Sequence, residues 1–140
     1  EDVGRSNPSA LLMANCAFDA VMKIGCPEGR IPLAEATVYL APSPKSNSAY
    51  LSVDAALDLV RRTGNQPVPL PIRNAPTQLM KELGYHDGYK YPHDYPGHFT
   101  EQQYLPKEVK DERIWHGQHS PAEEKLVERM KNYWKGRYDD

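Results

Sequence analysis

Proline placement constrains this chain more than any other feature. Thirteen prolines are present and most fall between residues 27 and 106; each removes a backbone donor and fixes its own φ, so the middle of the chain cannot be a set of long unbroken helices. Between Glu28 and Arg62 (EGRIPLAEATVYLAPSPKSNSAYLSVDAALDLVRR) they allow two helices joined by an elbow. The first is expected from Pro32, whose φ suits a first turn, to Ala41, because Pro42 and Pro44 cannot continue the ladder. Leu33, Ala36, Thr37 and Leu40 then share one face. The second takes Ser46 or Asn47 as N-cap, carries Ala49, Val53, Ala56, Leu57 and Val60 on one stripe, and closes at Arg61, Arg62 and Gly64. The pair reads as an amphipathic hairpin around which the rest is arranged. A second apolar set, Leu51, Ala55 and Leu59, lies off that stripe. One helical neighbour cannot cover both sets, so another part of the domain or a second subunit must.

Upstream, Asn7-Pro8 is a cap followed by a first-turn proline, and a helix is expected over Ser9–Ile24. Leu11, Ala14, Phe18 and Val21 form one of its stripes; Met13, Ala17, Ala20 and Ile24 form another. Apolar round most of its circumference, it is expected to be largely buried. Gly25 and Pro27 end it. Residues 65–73 (NQPVPLPIR) suit an extended connector and exclude a central strand, and a short helix follows over about Ala75–Leu83 with Leu79, Met80 and Leu83 as its contacts. Residues 107–119 read as a charged loop anchored by Ile114 and Trp115. Ser120-Pro121-Ala122-Glu123 is a capping box opening a C-terminal helix within 120–136, with Leu126, Met130, Tyr133 and Trp134 on its apolar face. The 140 residues fit one all-α domain with room for a core.

Residues 85–106 (YHDGYKYPHDYPGHFTEQQYLP) follow neither a helical nor an alternating period. They hold five tyrosines, one phenylalanine and three histidines, too much ring area for a disordered loop, so an ordered strap across the helices is expected, with Tyr89, Tyr91, Tyr95, Phe99 and Tyr104 as its core. Two other uses of the strap are weighed against packing. His86, His93 and His98, with Asp87 and Asp94, are ligand-type residues, but their spacing matches no zinc signature. The tyrosines could stack on single-stranded bases, yet Lys90 is the one cation among them and the net charge is -2, which argues against a surface built to neutralise phosphates. Cys16 and Cys26 form no disulfide framework and read as reduced thiols. There is no signal peptide, no apolar run long enough to span a bilayer, and neither GxxxxGK[ST] nor GxGxxG. No catalytic, cofactor-binding or metal-binding residue is therefore expected in this chain.

The phrases EDVG at 1–4, GCPEGRIPLAEATVYLAPSPKSNSAY at 25–50, DGYKYPHDYPG at 87–97 and QQYLP at 102–106 resemble the C-terminal region of the replication-associated recombination AAA+ ATPases, the bacterial RarA or MgsA proteins, which are similar to the eukaryotic Werner-helicase-interacting protein. The resemblance is collinear over nearly all of the chain and loosest after Glu108. It implies a helical domain similar to the clamp-loader collar that assembles the parent protein into a homotetramer, with residues 1–6 as the end of the ATPase lid. It also implies that the Walker motifs, ATP and magnesium belong upstream of residue 1, so the piece itself is not an enzyme. Implied for the parent are a cytoplasmic bacterial setting at replication forks, DNA at single-strand/double-strand junctions, and single-stranded-DNA-binding protein as partner. The surplus apolar residues supply the candidate subunit interface: Leu33, Val38, Tyr39, Tyr50, Leu51 and Leu59.

Overall fold

A computed structural model describes residues 1–138. Five α-helices are present, α1 (Ala10–Ile24), α2 (Arg30–Leu40), α3 (Ser48–Thr63), α4 (Gln78–Glu82) and α5 (Pro121–Tyr133), with short 3₁₀ turns between them and no strand among the described residues. The fold is all-α, as the proline punctuation and helical spacings predict. Contacts divide the chain into two compact units. One is built from Glu1–Ala56 and Ile114–Arg129, the other from Leu57–Arg113 and the described residues from Met130 on.

In the first unit α1 packs against α2. Gly25 caps α1 in the left-handed region at φ 69°, which glycine adopts without steric penalty. Four residues later Gly29 donates its N–H to the Gly25 carbonyl at 2.7 Å, and a Cβ on Gly29 would lie 2.7 Å from that same oxygen. The tight turn between α1 and α2 therefore needs a residue without a side chain. This pairing differs from the expected α2–α3 hairpin: the elbow at 41–47, which turns at 41–43 and is tied by hydrogen bonds to residues 2–7 and to Gln118, does not bring α2 and α3 together lengthwise.

The inward faces also differ from expectation. On α1 the buried residues are Ala10 and Ala17, flanked by half-buried Met13, Ala20 and Val21, so the packed side takes most of the Met13 stripe and Val21 of the other, while Ile24 is exposed. Leu11, Leu12, Phe18 and Met22 remain 65–73% exposed; α1 is not largely buried, since α2 covers one side of it. On α3 the covered face is Ser48, Ser52, Ala56, Leu59 and Thr63, a small and hydroxyl-rich set spaced by three and four. Its hydroxyls are satisfied locally: Ser52 Oγ donates to the Ala49 carbonyl at 2.7 Å and Thr63 Oγ1 to the Leu59 carbonyl at 2.8 Å. Neither apolar set expected on α3 faces inward as a whole.

In the second unit the 85–106 strap is ordered, with 3₁₀ turns at Pro92–Asp94 and Pro96–His98. Phe99 anchors it, stacking on Tyr133 at 4.5 Å and meeting Trp134 edge-on at 5.3 Å, geometries that aromatic pairs favour. Gln102 is buried and its Oε1 accepts the Lys90 N–H at 2.7 Å. The short helix is shorter than expected: Thr77 caps α4 by accepting the Met80 N–H at 3.2 Å, while Leu79 and Leu83 are exposed.

Candidate interaction surfaces

What the chain offers is apolar surface. Among the described residues the buried apolar set is Ala10, Ala17, Ala36, Leu59 and Val109, three of them alanines, whereas the larger apolar side chains of α1, α2 and α3 are mostly exposed. The chain exposes 10388 Å². A folded monomer of 15.9 kDa exposes about 7,400 Å², and even two independent units of half that mass would expose about 8,900 Å² together.

Of the candidate interface residues, Leu33, Val38, Tyr39, Tyr50 and Leu51 are exposed, Val38 most of all at 74%. Leu59 is buried within the chain at 7%. It sits one helical step from Ala56 on the covered face of α3, and so it leaves the candidate set. Along α2, Ile31, Ala34, Glu35, Val38, Tyr39 and Pro42 line an open groove of about 810 Å³; these positions recur at three and four residues and form one continuous strip. The stripe Val53, Leu57 and Val60 on α3 is likewise exposed.

The strap tyrosines divide. Tyr89 is half-buried and stacks on His86 at 4.8 Å, and Phe99 is packed, but Tyr91, Tyr95 and Tyr104 are exposed. Pro92 and Pro96 open 3₁₀ turns next to Tyr91 and Tyr95, whose rings stay on the surface, so these tyrosines and Tyr104 do not form the expected core. His93 lies 5.0 Å from the Tyr91 ring and 4.9 Å from the His98 ring. Among the described residues no three His, Cys, Asp or Glu side chains converge as a metal site would require, so the histidine alternative has no ligand set here. Cys16 and Cys26 are free and exposed. No helix among the described residues is long and apolar enough to cross a membrane.

The elbow at 42–48 ties the first unit together. On one side Ser6 Oγ donates to the Pro44 carbonyl, the Ser46 N–H donates to the Asp2 carbonyl at 2.8 Å, and Asn7 Nδ2 donates to Ser43 Oγ at 3.0 Å. On the other, the Asn47 N–H donates to Gln118 Oε1 at 3.2 Å and Trp115 Nε1 donates to Ser48 Oγ at 3.1 Å. Glu123 lies at the centre with 0% exposure. Its Oε1 accepts from Ser46 Oγ at 2.9 Å and from Ser48 Oγ; its Oε2 accepts from Ser120 Oγ at 3.2 Å and the Gln118 N–H at 3.3 Å. Burial, the largest single influence, pushes the carboxyl pKa up, but the hydrogen bonds from Ser48, Ser46, Ser120 and Gln118 together outweigh it and hold the pKa below the usual glutamate value of 4.5. The capping box is real: Ser120 Oγ accepts the Glu123 N–H at 3.3 Å. Its acid, however, turns to the start of α3 instead of back to the Ser120 N–H, which donates to Gln118 O. The sequence signal for this cluster was the serine-rich PKSNSAY phrase, whose partner 75 residues downstream no local pattern marks.

Residues 1–134 match the family model described as MgsA AAA+ ATPase C terminal. Replication-associated recombination protein A of Escherichia coli K12 is 39% identical over 131 residues, covering 93% of this chain and 29% of that protein. The protein of the same name in Bacillus subtilis is 41% identical over 115 residues, 82% of this chain and 27% of that protein. ATPase WRNIP1 of Dictyostelium discoideum is 36% identical over 116 residues, 82% of this chain and 13% of that protein. The chain spans less than a third of the length of each of these relatives. It belongs to the family of MgsA AAA+ ATPase C-terminal domains.

Proposed function

We propose that this chain is the self-assembly module of a replication-associated recombination ATPase, holding four copies together in a collar similar to that of clamp loaders. The observation that carries this reading is the run of large apolar side chains left exposed on α1, α2 and α3, Leu11, Phe18, Met22, Val38 and Val53 among them. Obligate interfaces commonly bury more than about 2,000 Å² in total. A collar sets the spacing of the ATPase modules attached to it, so that the nucleotide state of one can be felt by the next. In this reading ATP and magnesium belong to the ATPase module, and contact with junction DNA and with single-stranded-DNA-binding protein belongs to the whole protein at replication forks. Light scattering on the purified chain at tens of micromolar tests it: a mass of four chains is expected, and a monodisperse monomer overturns the proposal.

Exposure of Tyr91 and Tyr95 favours a second reading, in which the strap stacks on single-stranded DNA. Gel shift at low salt should then show binding that weakens when Tyr91→Ala or Tyr95→Ala is introduced. No shift at all removes this reading and leaves the first intact.

A further inference from the structure

Three serine hydroxyls, Ser46, Ser48 and Ser120, are each no more than 2% exposed and converge on the Glu123 carboxylate. They stand at the N-terminal ends of two helices, Ser46 and Ser48 at α3 and Ser120 just before α5, each helix long enough for its dipole to favour negative charge there. Gln118 adds a backbone N–H, and Trp115 Nε1 donates to Ser48 Oγ, which leaves that hydroxyl's own proton for the carboxylate. The partners of the carboxylate are all neutral donors. The same elbow that carries Ser46 and Ser48 also receives residues 2–7, through the Ser46 N–H on Asp2 O and through Ser6 Oγ on Pro44 O. A Cβ on Gly4 would lie 2.8 Å from the Ser46 carbonyl, so the two segments touch along their backbones.

We propose that Ser46, Ser48, Ser120 and the Gln118 N–H form a carboxylate-binding cradle that the chain fills in cis with Glu123, and that this clasp sets how firmly residues 2–7 are held on the elbow. The ligand class is a carboxylate borne on a small or flexible group: the cradle supplies neutral hydrogen-bond donors and helix N-termini but no cation, which suits one delocalised negative charge better than a dianion. Release of α5 from the cradle would loosen the elbow and, through it, the N-terminal segment. The clasp stands independently of the assembly reading, because its contacts are within one unit of one chain.

Chemical rescue in Glu123→Ala tests it, using sodium acetate as the probe and sodium chloride at equal ionic strength as control. Hydrogen exchange followed by mass spectrometry should show faster exchange at the Ser6 and Ser46 amides in the variant. Acetate should slow both towards the parent rates with a saturable dependence that chloride does not reproduce. Glu123→Gln, whose side chain keeps the cradle filled, should not respond to acetate. Should Glu123→Ala be recovered only unfolded, its refolded yield is the readout, and acetate should raise it above chloride. Ser46→Ala and Ser48→Ala provide a separate measure, each expected to speed exchange at the Ser6 amide. An equal response to acetate and chloride, or exchange at residues 2–7 unchanged in all three alanine variants, overturns the proposal.

Discussion

In the tetramer proposed above, Val38→Asp and Phe18→Asp are each expected to break the assembly into monomers that keep their helical content. Both side chains project from the chain, at 74% and 65% exposure, so a carboxylate at either position is fully solvated in the free subunit and surface substitutions of this kind change monomer stability by only about 0.5 kcal/mol. In an assembly the same carboxylate is enclosed against apolar neighbours without a partner. An uncompensated buried charge costs about 3 kcal/mol or more. The dissociation constant of the contact should therefore rise by about two orders of magnitude or more, since each 1.4 kcal/mol is tenfold. Light scattering across a dilution series, with circular dichroism as the check on folding, reads both quantities. A folded variant that retains the parent mass at both positions would show that neither α1 nor the α2 groove lies between subunits.

How far this architecture is legible in the sequence depends on the range of the interaction concerned. Local rules locate the helices well. Pro42 and Pro44 end α2, Gly25 and Gly64 lie just beyond α1 and α3, and Ser120-Pro121 opens α5, each through a backbone constraint acting within a few residues. The choice of inward face is not local. Period analysis gives α3 two apolar stripes, yet the covered face is Ser48, Ser52, Ala56, Leu59 and Thr63, because small hydroxyl side chains that bond their own helix can pack closely while the apolar stripes face outward. The rule that apolar residues lie inside runs one way only, so the spacing of a stripe does not say whether it is covered. The strap shows a third limit. Composition identifies an ordered aromatic segment, and Phe99 packs as expected, but whether Tyr91 or Tyr95 joins it depends on the two 3₁₀ turns opened by Pro92 and Pro96. Glu123 is the extreme case. Its place in a capping box is visible three residues away, and its bonds to Ser46 and Ser48 are visible only in three dimensions.

Those bonds make the stability of the first unit depend on acid in a defined direction. The folded pKa of Glu123 lies below its usual 4.5, because the donors of Ser48, Ser46, Ser120 and Gln118 outweigh the opposing effect of burial. A group of this kind contributes stability that is fully present above the unfolded pKa and disappears as pH falls through the lower, folded one. Glu123→Gln keeps the size and one acceptor but turns an N–H₂ towards the Gln118 N–H or the serine hydroxyls. Leaving one such buried donor unsatisfied costs about 1–3 kcal/mol. Urea denaturation at neutral pH should show that deficit, and the gap between parent and variant should narrow as pH is lowered from 4.5 through the folded pKa, where the parent's own carboxyl becomes neutral. The other carboxylates are common to both proteins, so the difference between the two curves isolates Glu123. A gap that stays constant down to pH values well below 4.5 would mean that the ionised form of Glu123 is not what the three serines hold.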